Sequence, residues 1–263
     1  MHKGRMFWGI IIIITAGILL LLDRLGLLAV GFHAIFWPLA LIVLGIFMLA
    51  RPLFKRRGAR SGAFSVPLEN TSSAELKLSY GAGRLSLRAT DMPGVLLEGI
   101  FHGELSHEVR RDGANTLVKL SSDVMAMPPF MELHERSWDI GVARSLPIKL
   151  HLKGGASENH LDLTDLKITE LEIETGASST QVRLPAAAGF TRAEVESGAA
   201  SVIIHVPEGV AARIHTSGGL SSININTRRF PRQDGHYQSP DYETAANRVE
   251  MHLVMGAGSI EVL

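Results

Sequence analysis

The sequence predicts two parts, an N-terminal α-helical transmembrane hairpin and an all-β repeat domain of the β-solenoid or twisted β-sandwich type. Three observations support this prediction. Two long uncharged apolar runs lie in the first fifth of the 263 residues, a strand–glycine–strand motif recurs through the rest, and 26 glycines suit many tight turns better than a helical body. We therefore divide the chain into the hairpin (1–50), a basic juxtamembrane linker (51–63) and the β-repeat domain (64–263).

The two apolar runs have the length of membrane helices. Residues 6–22 form a run of 17 without a charged side chain, and residues 25–50 form a second run of 26. About 20 apolar residues in a helix cross a bilayer, so the first run lies at the short end of the range. A secretory signal peptide has a single apolar run, whereas here a second one follows at once. We predict two membrane spans.

Basic and aromatic residues around these runs predict their orientation. Two cations precede the first run and five follow the second, whereas the short connector carries only Arg24. The positive-inside rule then places both ends of the hairpin, and the β domain after it, in the cytoplasm. Aromatic and basic side chains at the ends of such runs also favour the membrane interface. The candidate membrane or partner contacts here are Trp8, Trp37, Pro38, Arg51, Lys55, Arg56 and Arg57.

The net charge of zero hides a segregation. Residues 1–60 hold eight basic side chains against one acidic, which leaves 18 basic and 25 acidic side chains in residues 61–263. A nucleic-acid binder is not expected, because the acidic body would repel phosphates. The absence of cysteine excludes a disulfide scaffold, a thiolate nucleophile and a cysteine-ligated metal.

Six copies of one motif make up most of the body. Each copy has a short alternating strand, a small-residue turn with an anchor glycine, and a second alternating strand. The second to fifth anchors are 21, 22 and 21 residues apart, and the last interval of 37 would hold nearly two units. Because one copy cannot bury its apolar face alone, the copies are predicted to stack around a continuous core. The anchors, which we predict to be structural turn glycines, are Gly81, Gly155, Gly176, Gly198, Gly219 and Gly256.

The phase of the apolar residues predicts a bend at each anchor. In the first copy, Leu78 lies three residues before Gly81 and Leu85 lies four residues after it. Positions seven apart face opposite sides of a straight strand. The strand must bend or bulge at the glycine for both leucines to reach one core. Glycine suits this position because it permits positive φ and close approach between stacked turns.

Two stretches interrupt the repeat. Residues 121–146 contain Pro128 and Pro129, which cannot lie in a central strand. Their large apolar side chains form either an exposed tip that contacts membrane or a partner, or a cap on the open end of the solenoid, and the need to protect sheet edges favours the cap. Residues 228–247 are predicted to form a long surface loop that replaces part of a repeat. The candidate contact residues in the first stretch are Met125, Met127, Phe130 and Met131.

No motif with catalytic chemistry is present. The sequence contains no nucleophile elbow, P-loop, dinucleotide-binding fingerprint or HExxH. The nearest histidine pairs, His102 with His107 and His205 with His215, lack carboxylates at a ligand spacing, so we interpret them as surface strand positions. We expect no enzymatic activity, cofactor or metal.

Particular segments carry a family resemblance. Residues 7–28, FWGIIIIITAGILLLLDRLGLL, and 36–50, FWPLALIVLGIFMLA, resemble the two-helix LiaI/LiaF-like membrane region of bacterial envelope proteins. Residues 137–185, which begin SWDIGVARSLPIKL, resemble the toast-rack, or adhesin-like, β-repeat domain, and the segment MGAGSIEVL resembles the end of LiaF-like domains. The resemblance implies a toast-rack-like fold and contributes no catalytic residues.

The resemblance also implies a function in the bacterial cytoplasmic membrane. The family is linked to cell-envelope stress, and its best-studied members restrain a membrane histidine kinase. Our first hypothesis is therefore a non-enzymatic sensor or regulator whose partners are the lipid bilayer and another membrane protein, such as a sensor histidine kinase. The alternative is a membrane-tethered, adhesin-like scaffold whose β-solenoids associate into homo-oligomers. An enzyme acting on envelope lipid or glycan is the least favoured class.

Overall fold

The computed structural model describes residues 61–102, 105–122 and 136–263. These residues belong to the second of the two units into which the chain divides, Met1–Gly58 and Ala59–Leu263. The predicted membrane hairpin lies outside the described residues. Every regular element among them is a β-strand, which confirms the all-β fold class. No helix among them has the length and apolar character of a membrane span.

The described residues form thirteen strands that belong to one sheet. Six of the strands have 15 residues or more, and the other seven have eight or fewer. The strands are β1 (Ser61–Pro67), β2 (Ser73–Thr90), β3 (Val95–His102), β4 (Ser106–Asp112), β5 (Asn115–Ser121), β6 (Ser137–Ala143), β7 (Pro147–Asp162), β8 (Lys167–Arg183), β9 (Phe190–His205), β10 (Ala211–Ile225), β11 (Arg232–Gln233), β12 (His236–Gln238) and β13 (Arg248–Val262).

The six long strands lie side by side and parallel, in the order β2-β7-β8-β9-β13-β10. Each contains one copy of the repeated motif, so each forms one rung of a solenoid. Neighbouring rungs pair along almost their whole length. The spatial order differs from the chain order at one point, because β13 lies between β9 and β10.

Every rung bends at its anchor glycine. In β2, Leu76, Leu78 and Tyr80 are buried before the anchor, and Leu85 and Leu87 are buried after it. The buried positions therefore change from odd to even distances from the glycine, and the strand exchanges its two faces there. Side chains from both halves belong to one hydrophobic core. The sheet thus folds along the line of bends, so that the core lies between the first halves and the second halves of the rungs.

The anchor glycines form a column, with each one beside the anchor of the next rung. A Cβ on Gly155 would lie 2.3 Å from the carbonyl oxygen of Gly81, and a Cβ on Gly256 would lie 2.7 Å from that of Gly198. These distances are too short for any side chain, so close backbone approach explains the glycines. The expected positive φ does not occur at the anchors from Gly155 onward. It occurs two residues after an anchor, at Gly83 and Gly258.

At one end of the solenoid, two short strands complete a further rung. The first half of β2 pairs with β5 and its second half pairs with β6. Beyond them, β4 pairs antiparallel with β5, and β3 and β1 continue antiparallel from β6. The sequence pattern does not reveal this rung because residues 122–136 separate its two halves.

At the other end, the interval between β10 and β13 forms a hairpin. Strands β11 and β12 pair with each other, and β12 pairs with β10 at Arg213 and Ile214. Phe230 and Tyr242 from the same interval are buried. The predicted surface loop at 228–247 therefore also covers part of the sheet, and the 37-residue interval holds no additional rung.

Candidate interaction surface

The outer face of the first halves of the rungs carries charged side chains in rows. We call this surface the outer charged face and number its rows by their distance before the anchor glycine. The row six residues before the anchors alternates in sign across the sheet, since neighbouring rungs are in register. In spatial order, this row is Glu75, Lys149, Glu170, Arg192, Glu250 and Arg213.

Ion pairs join neighbouring rungs on this face. The Nζ of Lys149 lies 2.7 Å from Glu170, and the Nζ of Lys153 lies 2.7 Å from Glu174. The hydrogen bond from Lys149 lowers the pKa of the Glu170 carboxyl and raises the pKa of Lys149 itself. Because these groups are exposed, such pairs contribute little to stability. Their main effect is to fix which charges face solvent.

A block of four glutamates remains at the centre of the face. Glu172 and Glu174 on β8 lie in register with Glu194 and Glu196 on β9. On β8, Glu174 is paired with Lys153 of β7 and Glu172 contacts His151 of β7, whereas Glu194 and Glu196 on β9 are exposed. The face therefore presents local negative charge, which suits a basic partner surface. We call these four residues the acidic block.

A groove of about 690 Å³ follows the bend beside this block. Backbone of the glycine column forms part of its lining, and Lys153, Glu174 and Glu196 supply charged side chains. Ser122 also lines the groove, and its N–H donates a hydrogen bond to the carbonyl of Ser79. The chain therefore leaves the described fold, before residues 123–135, beside the groove.

Polar side chains are buried beneath the bend. The hydroxyl of Tyr80 donates a hydrogen bond to Oδ1 of Asn159, whose Nδ2 donates to Thr180 at 2.9 Å. On the next rungs, Thr175 and Ser197 share a hydrogen bond of 2.8 Å. Burial raises the pKa of Tyr80 to about 12, so this hydroxyl stays protonated and keeps its role as donor. Each of these groups has a hydrogen-bond partner. The hydrogen bonds therefore join the bends of four rungs, β2, β7, β8 and β9, and leave no unsatisfied polar atom at these positions.

A row of three histidines lies at the β10 side of the outer charged face. His215 and His252 are in register, and their rings stack with centroids 4.7 Å apart and an interplanar angle of 11°. The ring of His236 lies on the other side of His215, at 5.1 Å. Desolvation and the neighbouring charges of His252 and His236 lower the pKa of His215. Glu250 lies beside the first two rings.

Comparison with known families identifies the domain. A family model described as the N-terminal domain of toast_rack, DUF2154, matches residues 56–205, more than half of the chain. The chain belongs to the toast-rack family. A second model, the LiaF transmembrane domain, matches residues 7–66. This toast-rack protein is therefore a membrane-anchored protein of the LiaF type, as the resemblance of its segments predicts.

One solved structure supports the fold of the domain. A crystal structure of a candidate cell adhesion protein from Clostridium sporogenes matches with a TM-score of 0.72 and 17% identity, covering 78% of this chain and 98% of the other. A candidate adhesin from Bacteroides fragilis is 8% identical over 78% of this chain and 97% of its own, with a TM-score of 0.27, which is too low to bear on the fold. No curated protein matches the chain.

Several predicted site residues lie outside the described part of the toast-rack protein. They comprise the aromatic, proline and basic residues of the first 60 positions and the apolar residues of 123–135. These residues are Trp8, Trp37, Pro38, Arg51, Lys55, Arg56, Arg57, Met125, Met127, Phe130 and Met131.

The structure does not bring together His205 and His215, which are close in sequence. His215 lies in the first half of β10, whereas His205 ends the second half of β9 and contacts Gln181. His107 lies against the ring of Phe64, at 4.4 Å between centroids. Alignment of the toast-rack repeats could have found the true neighbours, since His215 and His252 both lie four residues before an anchor glycine.

Proposed function

We propose that this toast-rack protein is a non-enzymatic regulator or sensor of the bacterial cell-envelope stress response that acts through protein–protein contacts. The observation that carries the proposal is the acidic block, displayed by a domain that a LiaF-type transmembrane region anchors to the membrane. Its partner is a membrane protein with a basic surface segment. A sensor histidine kinase is the partner class that the family resemblance favours.

The charge of the block supports a protein partner. Anionic lipid headgroups repel a cluster of exposed carboxylates, so the acidic block is suited to a basic protein segment and poorly suited to the bilayer. Rows of charges on rigid, in-register strands also favour specific docking, because complementary charge patterns select partners and orient them.

The proposal includes a membrane topology. We propose two spans in residues 1–50 and a cytoplasmic β domain, because cations lie on the outer flanks of both apolar runs. A cytoplasmic domain can reach the signalling regions of a kinase in the same membrane. Reporter fusions at residues 24, 58 and 263 test the topology. A cytoplasmic signal at 58 and 263 and an external signal at 24 are expected, and the reverse pattern would refute this part of the proposal.

The regulatory role is tested by deletion and complementation. Deleting the gene is expected to change the response of an envelope-stress reporter to cell-wall antibiotics, and the wild-type gene is expected to restore it. The variant Glu194→Lys/Glu196→Lys reverses the exposed charges of the block and is expected to restore the response poorly, with partner capture from membranes weakened by at least ~10-fold.

A matched control separates charge reversal from damage to the fold. Asp112→Lys/Asp165→Lys makes the same change in net charge at exposed positions away from the block, the end of β4 and a turn before β8. It is expected to complement like the wild type. An unchanged reporter after gene deletion, or equal behaviour of the two double variants, would count against the proposal.

One observation favours the alternative, a self-associating scaffold. Residues 217–225 of β10 carry no charge, and within the described residues they have a strand neighbour on one side only, β13. Leu220 at this edge is 89% exposed. Natural edge strands usually carry charges that prevent pairing with another chain. An uncharged edge therefore suits association between copies.

The scaffold alternative predicts concentration-dependent oligomers of the full chain in detergent. Ser222→Lys places a charge on the β10 edge and is expected to abolish them. Ser179→Lys is the control, because Ser179 occupies the same exposed position of the repeat on the interior strand β8. A wild-type monomer by light scattering would exclude this alternative.

A further inference from the structure

The outer charged face brings two imidazoles and a carboxylate to one place. The Nε2 atom of His215 lies 3.9 Å from Oε1 of Glu250, and the Nε2 atom of His252 lies 4.0 Å from the same oxygen. One ligand atom from each of the three residues can be chosen so that all lie within 4.8 Å of one another. The three side chains come from β10 and β13, which pair in register.

We propose that His215, His252 and Glu250 bind a divalent transition-metal ion, with Zn²⁺ as the representative ion. The site goes beyond the partner docking proposed above and does not depend on it. The ligands lie on two rigid neighbouring strands, so the backbone sets their separation before any ion arrives.

The distances fit an ion after small side-chain movements. Zinc binds imidazole nitrogen and carboxylate oxygen at about 2.0–2.2 Å, so tetrahedral ligand atoms lie roughly 3.3–3.5 Å apart. The two Nε2-to-oxygen distances exceed this by about half an ångström. Rotation about the side-chain bonds closes such a gap, because all three groups are partly exposed. The two imidazoles converge on one oxygen, which parallel surface histidines need not do.

The donor set selects the class of ion. Imidazole nitrogen suits Zn²⁺, Cu²⁺ and Ni²⁺, whereas Ca²⁺ and Mg²⁺ prefer all-oxygen sites. Three protein ligands leave one tetrahedral position for water. The third histidine of the row also affects the site. The ring of His236 lies beside that of His215 in a tilted arrangement, and the Nε2 atom of His236 contacts Gln238 at 3.2 Å. This packing restricts the orientation of the His215 ring.

The surrounding charges leave Glu250 available. Arg213 is the neighbour of Glu250 on β10, yet its guanidinium bonds to Gln238 at 2.6 Å and to Glu243, and it lies over the ring of Tyr242. Within the described residues, the ion pairs of Glu250 are those with the two histidines.

Zinc binding to the full-length protein tests the proposal. The chain is purified in detergent with a tag that contains no histidine, stripped with a chelator and titrated with Zn²⁺ in a calorimeter. One bound ion per chain is expected, with affinity weakened at least tenfold in His215→Gln, in His252→Gln and in Glu250→Gln. Mg²⁺ is expected to produce no binding signal.

A surface histidine outside the cluster provides the control. His160→Gln removes an exposed imidazole from the second half of β7, outside the cluster, and is expected to leave zinc affinity unchanged. Circular dichroism confirms that each variant keeps its β structure. Absence of zinc binding in the wild type, or equal loss in His160→Gln and His252→Gln, would overturn the proposal.

A second readout identifies the ligands directly. Paramagnetic resonance of the Cu²⁺-loaded wild type is expected to show coupling to two imidazole nitrogens, and His215→Gln or His252→Gln is expected to leave one. A spectrum without nitrogen coupling in the wild type would also overturn the assignment.

Discussion

At the scale of single residues, the glycine column is a line of close backbone approaches between neighbouring rungs. The atom that a Cβ would meet on Gly155, Gly176, Gly198, Gly219 or Gly256 is in each case the carbonyl oxygen of the neighbouring anchor. A carbonyl cannot move aside as a flexible side chain can, because it belongs to a paired strand. Any substitution in the column must therefore shift a rung.

We predict that Gly155→Ala destabilises the domain by about 2–3 kcal/mol, because its Cβ would lie 2.3 Å from the Gly81 oxygen. Gly219→Ala, with 3.1 Å to the Gly256 oxygen, is expected to cost less. Gly62→Ala is the control, since nothing lies within 4 Å of its Cβ. Urea unfolding of the full chain in detergent, followed by circular dichroism, measures the differences. Equal stability of Gly155→Ala and Gly62→Ala would contradict the steric explanation.

The contact between His151 and Glu172 predicts a pH dependence. Nδ1 of His151 lies 2.5 Å from the Glu172 carboxylate, and this hydrogen bond lowers the pKa of Glu172 below its ordinary 4.5. The unfolded state therefore binds a proton more readily, so the stabilisation is present above pH 4.5 and is lost as pH falls through the folded value.

We expect Glu172→Gln to cost up to about 1 kcal/mol at neutral pH, since the pair is partly exposed, and the cost is expected to shrink below pH 4.5. Urea unfolding at several pH values measures this. In a His151→Gln background, Glu172→Gln is expected to lose most of its pH-dependent effect. A cost that persists unchanged in acid would refute the assignment.

At the scale of elements, the buried polar groups beneath the bend join separate rungs. Tyr80 on β2, Asn159 on β7 and Thr180 on β8 form one chain of hydrogen bonds. An aromatic group supports it, because the Tyr80 ring lies 5.4 Å from that of Trp138, which lies 5.4 Å from that of Phe101. The first rungs are therefore held by directional bonds as well as by apolar packing.

We predict that Tyr80→Phe destabilises the domain by about 1–2 kcal/mol, because it leaves the buried Asn159 oxygen without its donor. Tyr237→Phe makes the same chemical change on the half-buried strand β12 and is expected to stay within about 0.5 kcal/mol of wild type. Thermal unfolding in detergent measures both. A neutral Tyr80→Phe would show that the bond contributes nothing net.

The repeat pattern could predict the rungs but only part of what surrounds them. The alternation of apolar residues on each side of Gly81 and the other anchors predicts both the strand and its bend, because burial of one face of a strand imposes an alternating pattern. The rung formed by β5 and β6 has the same alternation, yet no glycine joins its halves. Sequence spacing does not reveal the histidine row, because His215 and His252 are far apart in the chain and only their shared repeat position makes them neighbours.

At the scale of the whole molecule, the position of β13 decides whether the sheet is continuous. It supplies a parallel, in-register partner to both β9 and β10. Its side chains Met251, Leu253, Ile260 and Val262 are buried in the shared core. The spacing of repeats could not predict this arrangement, because each copy fits beside any other and the chain order suggests that β9 and β10 are neighbours.

We predict that a chain ending at residue 247 loses the protease-resistant β domain, since β9 and β10 both lose their partner and the core loses a layer. Limited proteolysis of detergent-solubilised membranes, read by mass spectrometry, measures the protected fragment. Full-length protein treated in parallel is expected to retain it. If the truncated chain gives a fragment that is as resistant as that of the full-length protein, and shorter only by the deleted residues, the prediction is wrong and β9 and β10 pair directly.

The interleaved order of β9, β13 and β10 also has a consequence for biosynthesis. The ribosome makes β9 and β10 one after the other, and each presents a matching edge before β13 exists. Direct pairing of those two edges would give a well-matched but wrong sheet. The native solenoid therefore cannot form by adding strands in chain order. The interval that connects β10 to β13 determines how long the newly made chain is exposed to this misfolded alternative.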